Sequence, residues 1–222
     1  MNKTKKIMLP VMAAALVLFT TACSQLDVVG KESAKSFDAV LAAAPGLVEA
    51  DEANAGWTFR APDGTVRFIW SGDWSKSSQD VLLELDAQPF LDAGLDPEKL
   101  PDQFSYNGEL LTVGIDLGDN ALGATALAAY EQIVELKREH IGYHMAMDHY
   151  GVNFGDGNMF EWAKDVGTND KDIVFVLEPK PFIDAGVRPD EVDGWLFAKV
   201  ETMDDKGKTV EVDKLLKPFD LQ

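Results

Sequence analysis

The 222-residue chain has three histidines, His140, His144 and His149, all in its second half. A neutral imidazole ligates metal and a protonated one holds anions, so the placement of these rings decides which chemistry is open. The stretch from Ala121 to Met147 carries helical periodicity and reads as one long helix. On such a helix His140 and His144 share a face, with Asp148 one turn further, a permissible spacing for ligands of a divalent metal. Lys137 lies on the same face, and Lys137, His140 and His144 together form a basic row able to hold a carboxylate or phosphate. The other account of that row is hydrogen-bonded histidines and a snorkelling lysine at the rim of the core. A zinc-enzyme helix would carry glutamate directly after the first histidine; Ile141 stands there, and His149 is expected to point away from the other two. Gly-rich phosphate loops, a nucleophile elbow, a Cys–His pair and EF-hand spacing are all absent, which removes nucleotide-binding, serine-hydrolase and calcium-loop readings.

The elements that must position these residues come in two copies. A shift of 92 aligns residues 68–97 with 160–189 without a gap, with 11 of 30 positions identical, where unrelated sequence gives about two. The identities include Phe68/Phe160, Trp70/Trp162, Asp80/Asp172 and the run Pro-Phe-(Leu/Ile)-Asp-Ala-Gly-(Leu/Val)-x-Pro at 89–97 and 181–189. Trp70 repeats as Trp162 and is expected in the core. Trp74, replaced by Val166, is free for a role in module one alone and joins the ligand-binding candidates.

Each copy reads as one main helix followed by about four antiparallel strands, an α+β tandem duplication. The helices are Ala34–Ala44, ended by Pro45-Gly46, and Ala121–Met147. Hairpins form around Pro62-Asp63-Gly64 and Gly155-Asp156-Gly157. The third strands are Asp80–Asp86 and Asp172–Glu178, and the fourth are the segments 109–116 and 195–202. The shared Pro-Phe…Gly run reads as a short helix closed by a Schellman cap: Gly94 is left-handed and Phe90 touches Leu95 across the end.

Ahead of the modules, Met1–Lys6 is basic and Ile7–Ala22 is uncharged, the pattern of an export signal too short to be retained as a transmembrane helix. The segment Leu18-Phe19-Thr20-Thr21-Ala22-Cys23 resembles the lipobox of bacterial prolipoproteins, with Thr20 where that family usually has leucine. The resemblance implies lipidation of Cys23, cleavage before it and anchoring to the cell envelope. With Ser24 rather than Asp following, it implies the outer membrane in a diderm cell and otherwise the outer face of the cytoplasmic membrane. Ordinary signal peptidase would cut the same bond and leave a free thiol. Cys23 is the only cysteine, so no intramolecular disulfide is possible. The expected organisation is residues 1–22 signal peptide, 23–33 anchored leader, 34–118 module one and 119–222 module two.

The formal charge is −18, and removal of Lys3, Lys5 and Lys6 with the signal leaves −21. That makes nucleic acid and bare anionic lipid poor partners, since both require clustered cations. The expected function is a non-enzymatic binding or assembly role at a membrane, with no cofactor. Its ligand, an envelope protein or a small anion, would sit between the modules on Trp74, Lys137, His140 and His144. The alternatives are a divalent-metal enzyme or carrier using His140, His144 and Asp148, and an inhibitor or structural envelope component.

Overall fold

The computed structural model describes residues 12–73, 80–118, 123–145, 147–167, 171–203 and 208–221, with side chains from Val28 onward except Met203. Residues 1–11 of the expected signal and Trp74 lie outside the described residues, as does the Cys23 side chain.

Module one opens with α1 (Met12–Ala43), followed by β1 (Val48–Asp51), β2 (Gly56–Arg60), β3 (Val66–Ser71) and β4 (Val81–Asp86), then α2 (Gln88–Asp92), β5 (Phe104–Tyr106) and β6 (Leu110–Ile115). Module two repeats that order with α3 (Ala126–Leu136), β7 (Ile141–His144), β8 (His149–Asn153), β9 (Met159–Ala163), β10 (Ile173–Leu177), α4 (Pro179–Asp184), β11 (Leu196–Met203) and β12 (Thr209–Phe219). Each module builds one six-stranded antiparallel sheet, ordered β1-β2-β3-β4-β6-β5 and, in the same sense, β7-β8-β9-β10-β12-β11. The expected α+β duplication is present, with two more strands per sheet than the sequence suggested. The partner of β10 is β12 rather than the 195–202 segment, which forms β11 and corresponds to β5.

The two sheets pack face to face over a single core. Equivalent residues meet at the seam: Phe68 stacks on Phe160 at 4.5 Å, and Phe90 lies 4.9 Å from Phe182. Strand alternation puts Trp70 and Trp162 into the same core, both fully buried. The helices cross between modules. Phe37 of α1 contacts Phe68 and Trp70 of module one and Tyr130 and Trp162 of module two. Ser36 donates to the carbonyls of Ala163 and Lys164 at the end of β9, and Trp70 donates from Nε1 to the carbonyl of Ala126, the first residue of α3. Helix α1 also starts well before Ala34: the expected leader residue Ser33 is buried with its hydroxyl 2.7 Å from the Tyr130 hydroxyl.

The repeated Pro-Phe…Gly run forms the expected caps, and it does more. Leu95 donates to Phe90 O and Val187 to Phe182 O, the long Schellman bond in each copy. The two caps also face each other, because Asp96 N donates to Ala185 O and Arg188 N to Ala93 O. Gly94 and Gly186 have φ of +106° and +100°, and a Cβ on either would lie 2.8 Å from the other's carbonyl oxygen. Glycine is required twice over, by backbone hand and by contact.

The repeated Asp80 and Asp172 are buried, and each accepts a backbone N–H from the segment leaving its module's last inner strand: Leu117 N to Asp80 at 2.7 Å and Leu221 N to Asp172 at 3.0 Å.

Candidate functional site

The long histidine helix does not form. Helix α3 ends at Leu136, Arg138–His140 make one 3-10 turn, and His144 stands on β7. Ile141, Tyr143, Met145 and Met147 recur at every second residue, a strand period that also satisfied a broad helical arc. Along an extended strand His140 and His144 are separated by about 3.3 Å per residue, so they do not share a helix face. His140 places Nδ1 2.7 Å from the Asn153 carbonyl, and the Tyr143 hydroxyl donates to Asp148. That bond and burial push the Tyr143 hydroxyl up to about 12. Lys137 is the C-cap residue just past the end of α3. The row of Lys137, His140 and His144 is therefore dispersed, and His140, His144 and Asp148 each have a different neighbour. Among the described residues no group of three His, Cys, Asp or Glu is arranged to hold a metal ion. The seam between the sheets is filled by the aromatic core, and the hollow between α1 and α3 is lined by Lys31, Lys35, Glu131, Glu135 and Arg138 without any of the three.

What the structure does bring together is His144, His149 and Glu161. His144 and His149 are cross-strand partners on β7 and β8, contrary to the expectation that His149 points away, and Glu161 follows on β9 opposite Gly151. Gly151 is what lets a β7 side chain cross β8: a Cβ there would lie 3.0 Å from both Glu161 Cγ and the Phe160 carbonyl. His144 Nδ1 sits 3.3 Å from Glu161 Oε1, and His149 Nδ1 lies 3.7 Å from Oε2. Glu161 is 1% exposed and His149 2%. Burial alone would push the Glu161 carboxyl up, but hydrogen bonding and charge from His144 and His149 outweigh it and hold the carboxyl below its ordinary range. The Glu161 hydrogen bond is the main cause that raises His144, against partial burial.

These groups stand on the face of the second sheet turned away from module one. That face is a groove of about 340 Å³ to which all six strands contribute. Its floor is apolar: Val174, Val176 and Leu216 are buried there with Met147, Met159 and Val200 packed around them. Its charged groups are internally paired, His144 with Glu161 and Lys214 with Glu178 at 3.0 Å. The sheet curls, because His144 Nε2 comes within 3.1 Å of the Glu201 carbonyl on β11, the opposite edge strand.

Module one has the matching face with different chemistry. Where Met159 opposes Val176, Arg67 opposes Glu84 and pairs with it, and the hollow of about 470 Å³ there is lined by Glu49, Asp51, Thr58, Arg60, Arg67 and Glu84. Duplication has given one scaffold a charged face and an apolar one. Comparison of the chain with protein-family models, with curated proteins and with solved structures finds no match.

Proposed function

We propose that this chain is an exported lipoprotein, tethered to the cell envelope through lipid on Cys23, that acts by non-enzymatic binding of a small apolar ligand in the module-two groove. The observation that carries the binding role is the divergence of the two matched faces. Met159 and Val176 occupy the positions held by the Arg67–Glu84 pair in module one, leaving an apolar floor whose charges are cancelled at its rim. Small-molecule sites are mostly apolar hollows of about 300–1,000 Å³ with a few placed polar groups. An apolar floor whose few carboxylates each face a basic side chain, in a chain of formal charge −18, favours an uncharged, alkyl-like occupant over an anion or a cation. The tether rests on the lipobox-like segment and the basic start of the chain. Among the described residues no helix is long and apolar enough to cross a membrane.

The double variant Met159→Arg/Val176→Glu transplants the module-one pair onto the same cross-strand positions. With 1-aminoanthracene as a fluorescent probe and 1-decanol as competitor, the parent protein is expected to bind and release the probe and the double variant to bind neither. Equal probe binding by both proteins would refute the placement of the site. Mass spectrometry of the mature N-terminus and membrane partition of Cys23→Ser test the tether. An unmodified Cys23 would reduce the protein to a secreted binder.

A further inference from the structure

The imidazole of His144 lies between two groups that can only accept. Nδ1 faces the Glu161 carboxylate at 3.3 Å, and Nε2 faces the Glu201 backbone carbonyl at 3.1 Å. A neutral imidazole has one N–H and one lone pair, so it satisfies one of these partners and turns a lone pair on the other. Only the imidazolium satisfies both. This single side chain, on edge strand β7, is thus held to the sheet's other edge, β11, across the groove.

We infer that His144 is a proton-dependent latch, which holds β7 to β11 over the groove while doubly protonated and releases β11 when it loses the Nε2 proton, the carboxylate of Glu161 retaining the proton on Nδ1. The inference rests on the groove being the binding site, and adds how access to it is controlled. The groups around the latch set its sense. Glu161 on β9 favours the charged ring, while the Lys214 ammonium on β12 opposes it and is itself paired with Glu178. His149 on β8 faces Glu161 Oε2 at 3.7 Å, and Asp148 is engaged by Tyr143. By strand alternation the Glu201 side chain points to the opposite face of β11 from Val200 and Thr202, leaving its carbonyl as the contact. The Glu161 hydrogen bond raises His144 above an ordinary histidine, so the latch is closed at acid pH and opens as pH rises through that raised value.

The test uses the full chain and imidazole ¹⁵N shifts at pH 6 and pH 9. Both His144 nitrogens are expected to carry protons at pH 6 and only one at pH 9. Over the same titration, the methyl resonances of Met147 and Met159 should move with the His144 midpoint, and hydrogen-exchange protection should fall in β11 but not in β6. Affinity for 1-aminoanthracene should rise about tenfold as the open form becomes populated. In His144→Gln, which cannot donate at both ends, the methyl titration should vanish and the probe should bind at pH 6 as it does at pH 9. A singly protonated His144 at pH 6, or groove methyls and β11 protection unchanged through its titration, would overturn the latch. If the ring, methyls and β11 titrate together while the probe never binds, the latch stands and the choice of ligand falls. If the probe binds equally at both pH values with the methyls still, the groove stands and the latch falls.

Discussion

Glu161 is a buried carboxylate set between two histidines, and its behaviour gives two expectations for stability. Removing one partner of a buried charged set leaves the others desolvated and uncompensated, so Glu161→Ala is expected to cost about 3–5 kcal/mol, measured by urea unfolding near pH 6. Its pH dependence follows from the two shifts. The lowered carboxyl contributes stability above its ordinary value of 4.5, lost as pH falls through the folded value; the raised His144 contributes fully below 6.5, lost as pH rises through its folded value. The pair therefore supports the fold most between about pH 4.5 and 6.5. The difference in unfolding free energy between the parent and His144→Gln should be greatest in that window and shrink on its alkaline side; a difference that grows above pH 8 would contradict the assignment. None of this follows from Glu161 in the sequence, where it aligns with the apolar Ile69 and has no neighbour to announce it. His149 and Gly151 gain meaning only once β7, β8 and β9 are laid side by side.

At the level of elements, the two facing caps are the most constrained feature. Gly94→Ala or Gly186→Ala places a Cβ against the opposite carbonyl and demands a backbone hand that alanine resists, so each should cost at least about 1–3 kcal/mol. Thermal unfolding of the single and double variants checks this, and because the two sites touch, the double should depart from additivity. The sequence disclosed the caps, both hairpins and the buried tryptophans, because each has a local signature in turn residues, cap glycines or repeated aromatics; the order of the strands in the sheets has no such signature. It did not disclose that the caps pair with each other, since such contacts leave only identity behind. The end of α3 was hidden for another reason. Alternation at Ile141, Tyr143, Met145 and Met147 fits both a strand and the wide apolar arc of a buried helix, and the pairing of β7 with β8 decided between them. The edge strands β1 and β5 were missed because they are short, at four and three residues.

Taken whole, the molecule is two modules that cannot be separated without exposing both. Phe37 and Ser36 belong to module one by sequence and to module two's sheet by contact, while Ala126 closes on Trp70 in the reverse direction. Residues 34–118 and 119–222 produced separately are expected to be largely unfolded or aggregated, and to regain strand circular dichroism and a 1:1 gel-filtration peak when co-expressed. A stable, monomeric isolated module would show that the shared core is dispensable. The same crossing gives α1 a mechanical character. The helix that leads back toward Cys23 is also the wedge whose Ser33, Ser36 and Phe37 lock the two sheets together. With the lipid anchor proposed for Cys23, a load applied there would travel along a stiff stem into the middle of the body and bear on both halves at once, so that pulling the protein from its surface and prying its modules apart would become the same act.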